Sequence, residues 1–382
     1  MAHDDAQTVQ VSDARTHALA FARIASQTDE RLQSFADIAP DPLEIFDIDG
    51  DLLFYDFRLM GTTGVVGYVR AAADERVGAP VVSVEVGPRS WDAAASSSAA
   101  TARVESAGEE VIRTRVVCYS YPKIGVLVYS RTPDGHDRTR IYDVASGVEV
   151  PTSPPRGPSD HVSARSFLRD RSTSVHTDAF AEGRQALLRV SQPSPPSSPL
   201  MRTTTQQVWL DVPCQTTIGV PVYAQITPYN CVPASAQMVL DHYGWNFPQS
   251  SIATAMGTTA AAGGTSYNPG FTGGIATLTK STLTPGEPDI GAAESAQWSL
   301  ATGELDANRP VFTQMPGHYR VCVGYSVTEL LVDVRPGLPP PVVQTLHIHD
   351  PEPFNSNVCQ GGSDYWENWA GTAIQWFVTL QH

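Results

Sequence analysis

The pattern of apolar and polar positions divides the chain into three zones. The first runs to about residue 150. In ARTHALAFARIAS, Ala18, Phe21, Ala22 and Ile24 lie on or near one face at helical spacing and predict a helix. In PLEIFDIDGDLLFYDFRL, an Asp49-Gly50 turn between two apolar runs predicts a hairpin. VVGYVRA, VVSVEV, VIRTRVVCYSY, IGVLVYS and RIYDV continue as strand-like pieces separated by Gly, Pro and Asp. Residues 1–150 therefore read as a small, mostly antiparallel α+β module. DIDGD does not fit a calcium loop. Counted from Asp47, Gly50 is fourth and Arg58 twelfth, whereas such a loop needs Gly sixth and Glu twelfth.

Residues 151–206 read as a connector. PTSPPRGPSD and SQPSPPSSPL are Pro/Ser-rich without period, and DAFAEGRQALLRV between them predicts a short helix. Residues 207–382 read as a compact domain. PASAQMVLDHYG predicts a helix, with Pro233 in its first turn and Gly244 placed to end it. GTTAAAGGTSYNPGFTGG reads as a Gly-rich loop, and RVCVGYSV, LLVDV and VQTLHIHD as strands.

Charge narrows the function. With 25 basic against 40 acidic residues, the net charge is −15, which disfavours nucleic acid and an anionic membrane surface as partners. No stretch approaches the ~20 apolar residues of a membrane span. The N-terminus lacks a basic start followed by a long apolar run, so no secretory signal is legible. The compartment stays open between the cytoplasm and export after removal of a signal. None of the five cysteines has C-x-x-C spacing, which argues against a zinc knuckle. No metal or organic cofactor is implied. Cys322 reads as core, and Cys214 and Cys359 are able to pair in an oxidising compartment.

The candidate chemistry centres on Cys231, at the N-terminus of the predicted helix, where the helix dipole stabilises a thiolate. Gln225, six residues earlier, offers a side-chain amide that with the Cys231 N–H can donate to an oxyanion. In GHYRVCVGY, His318 precedes a strand, where it can be held rigidly against a helix end. In TLHIHDPEP, Asp350 ends a strand and can accept from the His318 ring, fixing its tautomer. His347 and His349 flank Asp350 as competitors for the base role. His242 is eleven residues beyond Cys231, at ~1.5 Å per residue too far to act. Gly273 and Gly274 are candidates for close approach of a substrate backbone.

Gln-x5-Cys entering a helix, Gly-His before a strand, and His-Asp-Pro at a strand end together resemble the papain-like cysteine peptidases. Within them, Cys-x-Pro-Ala and Asp-Pro are most similar to the bacterial, bacteriocin-processing type, over roughly residues 207–382. The resemblance implies an antiparallel sheet with a helical subdomain, Cys231 as nucleophile, His318 as general base and acid, Asp350 as orienting residue and Gln225 in the oxyanion hole. The third member departs from papain, which has Asn followed closely by Trp; here Trp366 and Trp369 come much later. LEIFDIDGDLLFYDF followed by GTTGVVGYVRAAA is similar to the pro-segments of streptopain-like peptidases, which implies an inhibitory first zone removed from a precursor. The implied partners are a protein or peptide substrate and the chain's own pro-segment. Two other outcomes are compatible with the same residues: a transglutaminase, deamidase or peptide ligase on this scaffold, or a binding module with an inactive peptidase domain.

Overall fold

The computed structural model describes residues 7–153, 162–169, 171, 173–191, 201–207, 222–330, 342–372 and 374–381. The first zone opens with helix α1 (Val11–Thr28), which buries Ala14, Ala18, Phe21, Ala22 and Ile24 as their spacing predicts. Strands β1 (Phe35–Ile38), β2 (Leu43–Asp47), β3 (Leu52–Gly61), β4 (Gly64–Ala72) and β5 (Val81–Val86) follow. Gly50, at φ +102°, makes the β2–β3 turn, with its N–H on the Asp47 carbonyl. Helix α2 (Ala93–Ser106) starts on an Asp92 side-chain cap. It leads into β6 (Glu110–Ser120), β7 (Lys123–Arg131), β8 (Asp137–Asp143) and β9 (Glu149–Val150).

The stretch expected to be a connector carries regular structure. Helix α3 (Thr173–Ser191) exceeds the short helix expected and packs against α1. Strand β10 (Met201–Gln207) pairs antiparallel with a strand of the third zone. The Pro/Ser-rich stretches lie almost wholly outside the described residues.

The third zone continues with α4 (Cys231–His242), α5 (Gln249–Ala255), α6 (Thr272–Leu278), β11 (Thr284–Pro285) and α7 (Glu294–Asp306). Then come β12 (Val311–Met315), β13 (His318–Leu330), β14 (Val342–Asp350), β15 (Ser363–Asn368), β16 (Trp376–Val378) and β17 (Leu380–Gln381). Helix α4 is buried along its length from Cys231 to Leu240, so it runs through the core, not over the surface. The LLVDV run lies outside the described residues beyond Leu330.

Apart from β11 and β17, which pair with each other, the strands of the first and third zones join into one sheet, in the order β16-β12-β13-β14-β15-β5-β4-β3-β2-β6-β7-β8-β9, with β1 on β3 and β10 on β13. The seam is the antiparallel pair β5–β15, with Trp366 opposite Val84 and Glu367 opposite Ser83. A main apolar core lies in each zone. The first-zone core also takes in Met315 and Val343 from the third zone. The fold is thus α+β with a mostly antiparallel sheet. The first zone joins that sheet through the β5–β15 strand pair.

Candidate active site

Cys231 is the first residue of α4 and is fully buried. The loop before it is held by Gln249, which sequence reasoning missed. Its Oε1 accepts from the Ile226 N–H at 2.8 Å and its Nε2 donates to the Ala224 carbonyl at 3.0 Å. Helix α4 lies against β13, where the Ser235 hydroxyl donates to the Tyr319 carbonyl. That packing sets the helix start beside the strand start. His318 begins β13 after a tight turn from β12, with Gly317 at φ +72° supplying a conformation other residues rarely adopt.

The fully buried His318 ring meets Asp350, the last residue of β14, with Nε2 2.7 Å from Oδ1. The Cys231 thiol lies near enough to act on the ring through a hydrogen bond. Burial lowers the ring's pKa, but the Asp350 charge, the Asp350 hydrogen bond and the Cys231 thiol overcome it and raise it from 6.5 to about 9. Burial likewise pushes the Asp350 carboxyl up, and the His318 charge and hydrogen bond outweigh that and hold it below its ordinary value. The Asp350 carboxylate also accepts from the Glu352 N–H at 2.8 Å and the Tyr365 hydroxyl at 2.9 Å.

The signs follow from linkage. His318 binds its proton more tightly folded than unfolded. Its contribution to stability is complete below pH 6.5 and is lost as pH rises through about 9. Asp350 contributes in the opposite sense, with stability lost as pH falls through its lowered value. With Asp350→Asn the balance at His318 reverses, because burial is then unopposed by a carboxylate. The ring resonance, followed by NMR, should titrate near pH 9 in the wild type. In the variant it should titrate below 6.5, or not at all while folded.

Behind this trio lies a second buried set that sequence reasoning also missed. Arg320 and Glu367, both fully buried, pair through two hydrogen bonds of 2.8 and 3.2 Å. Arg320 donates to the Tyr365 hydroxyl at 2.6 Å, so it fixes the group that donates to Asp350. The signal in the sequence was Arg320 two residues after His318, on the same face of β13 by strand alternation.

Gln225 is fully buried, and its Nε2 donates to Glu352 Oε1 at 2.6 Å. Its backbone N–H bonds the Pro351 carbonyl, next in sequence to Asp350. Gly273 and Gly274 are not in a loop. They occupy the first turn of α6, where a side chain on Gly274 would collide with Met256 while Gly273 faces open space. The missing Cβ of Gly274 serves helix packing. His347 and His349 point to the face of β14 opposite Asp350, as strand alternation requires. His347 Nε2 lies 2.5 Å from Asp364 Oδ1, and its ring stacks on Trp366 at 4.5 Å. The donor atoms of His347, His349 and Asp364 lie within 4.8 Å of one another, a set able to approach a cation. The first-zone Arg31 already gives Asp364 a positive partner at 2.7 Å.

The first zone reaches the segments around the site through the β6–β7 turn. Ser120 Oγ lies 3.5 Å from the Pro316 carbonyl, the Tyr121 hydroxyl donates to Glu367 at 2.9 Å, and Lys123 Nζ lies 3.7 Å from Glu352 Oε1. These contacts flank His318 on both sides in sequence. Cys118 and Cys322 are buried thiols whose pKa burial pushes well up, that of Cys322 to about 12, which suits packing rather than nucleophilic chemistry. Cys359 is disulfide-bonded, and Cys214 lies outside the described residues.

Among the described residues no helix is long and apolar enough to cross a membrane. No curated protein and no solved structure matches the chain. Residues 217–374, which include Gln225, Cys231, His318 and Asp350, match the model of the family described as Peptidase_C39 like family, and the match supports a cysteine-peptidase-type domain over that span.

Proposed function

We propose that the third zone is a cysteine endopeptidase made as a self-inhibited precursor, with Cys231, His318 and Asp350 as its triad. The observation that carries this is the buried His318 ring, bonded through Nε2 to the Asp350 carboxylate and acted on by the Cys231 thiol. A ring with a raised pKa beside a thiol at a helix start favours the thiolate–imidazolium pair. The thiolate attacks the peptide carbonyl carbon, and the oxyanion forms against the Cys231 N–H and the Gln225 amide. His318 gives its proton to the leaving nitrogen as the C–N bond breaks. Water, deprotonated by the same ring, then cleaves the thioester and restores the thiol. Asp350 holds the ring throughout. The first zone is read as inhibitory because its β6–β7 turn reaches Pro316 beside His318 and sets Lys123 against Glu352, two residues from Asp350.

A thiol-directed peptide epoxide tests this. Peptide mapping should place the adduct on Cys231, and His318→Ala should slow labelling by about 100-fold or more, as loss of the general base does. A folded chain free of the first-zone cover that takes no adduct at Cys231 would overturn the reading.

A further inference from the structure

Lys123 is 3% exposed and Glu352 7% exposed. Lysine is almost never this buried without a charged partner. The pair joins the two zones: Lys123 begins β7 in the first zone, and Glu352 follows Asp350 by two residues in the third. Glu352 is bound into the candidate site by each of its polar groups. Its Oε1 accepts from Gln225 Nε2 at 2.6 Å, its Oε2 from the Phe354 N–H at 3.0 Å, its N–H donates to Asp350, and its carbonyl accepts from the Ser363 hydroxyl. A cavity beside the pair is walled mostly by the first zone, with Arg70, Arg89 and Lys123 among its residues, and by Glu352, Ser363 and Tyr365 of the third.

We propose that Glu352 is the acidic floor of a substrate subsite that takes a Lys or Arg side chain, and that Lys123 of the first zone fills this subsite in the full-length chain. The proposal rests on the peptidase reading for the word substrate, but the cation seat itself does not. Removing the first zone removes the ammonium and leaves the Glu352 carboxyl at the wall of the site, two residues from Asp350 and bonded to the Gln225 amide. Without a cation the buried carboxyl keeps its proton to higher pH, and a peptide bearing a basic side chain restores the pairing as that proton is lost. Neutral and acidic side chains do not. The charged groups that act on Glu352 are Lys123 and Asp143 from the first zone and His318 and Asp350 from the third. Burial drives its pKa up to about 8 with Lys123 the leading opposing group, so the carboxyl ionises near neutral pH only as a cation from outside its own domain seats against it.

Two measurements on the full-length chain test it. Lys123→Ala vacates the seat, and n-butylammonium should then raise its thermal midpoint while n-butanol does not. Lys123→Ala/Glu352→Gln should lose that response. Should Lys123→Ala unfold outright, the same response is read as refolding on adding n-butylammonium. In the second measurement, two peptide epoxides identical except for a lysyl or norleucyl side chain compete for Cys231 in Lys123→Ala. The lysyl probe should label faster by about tenfold or more, and the double variant should treat the two alike. Equal labelling of Cys231 by both probes in Lys123→Ala would overturn the subsite and leave the peptidase intact. A midpoint raised by n-butylammonium with no labelling by either probe would support the cation seat and overturn the subsite, since vacating it would not have opened the way to Cys231.

Discussion

A Cys231→Ala chain incubated at pH ~6–7 with reductant keeps its full mass, while the wild type is cut once between the first zone and the peptidase domain. The expected loss of rate is on the order of 10⁴-fold or more, because removing the nucleophile of a triad leaves only binding and oxyanion stabilisation. The fold points to where the cut falls. Helix α3 packs on α1 and goes with the first zone, whereas β10 pairs with β13 and stays with the peptidase sheet. A cut between α3 and β10, within residues 192–200, separates the two cores without breaking a strand pair. The cut alone does not release the first zone. The β5–β15 pairing, the Asn368 side chain on the Val81 carbonyl and the Tyr121–Glu367 bond remain. Intact-mass spectrometry under denaturing conditions reads the cut, and size exclusion of the same sample reads the release. A Cys231→Ala chain cut at the wild-type rate would show that another protease, or none in this chain, makes the precursor mature.

The candidate triad was legible because each member carries a local mark. Cys231 stands where a polar loop meets an apolar helical run, His318 follows a turn glycine, and Asp350 precedes a proline that ends its strand. The bond between His318 and Asp350 spans 32 residues, yet both ends were visible alone. What was not legible depends on distant pairing. The β5–β15 seam joins residues about 280 apart, and nothing in either strand's alternation names its neighbour. Lys123 and Glu352 each read as an ordinary surface charge until the fold buries them together. Strand β10 was hidden in a connector by its Pro/Ser flank, although MRTTTQQ carries threonines that favour a strand. Gly273 and Gly274 misled for the opposite reason. A Gly-rich run suggests a loop, but close packing of a helix on Met256 demands a small residue just as strongly.

Breaking the Arg320–Glu367 pair should give the largest change in stability. Either Arg320→Met or Glu367→Gln leaves the other member buried without its partner, at a cost of about 3–5 kcal/mol by denaturant unfolding. Arg320→Met carries a further consequence. It removes the donor to Tyr365 and a positive charge that helps hold the Asp350 carboxyl low, so His318 loses part of its orientation. The double variant Arg320→Met/Glu367→Leu separates the two effects. Replacing both charges with apolar groups of similar volume removes the desolvation cost along with the attraction, so stability should return to near the wild-type value. Labelling of Cys231 should stay slow, because Tyr365 and Asp350 are still without Arg320. Tyr121 of the first zone also loses its acceptor in the double variant, so the first zone should dissociate more readily after the cut. If the double variant regains both stability and the wild-type labelling rate, the pair serves the core alone. If stability returns while labelling does not, the buried pair is retained because it orients the carboxylate behind His318.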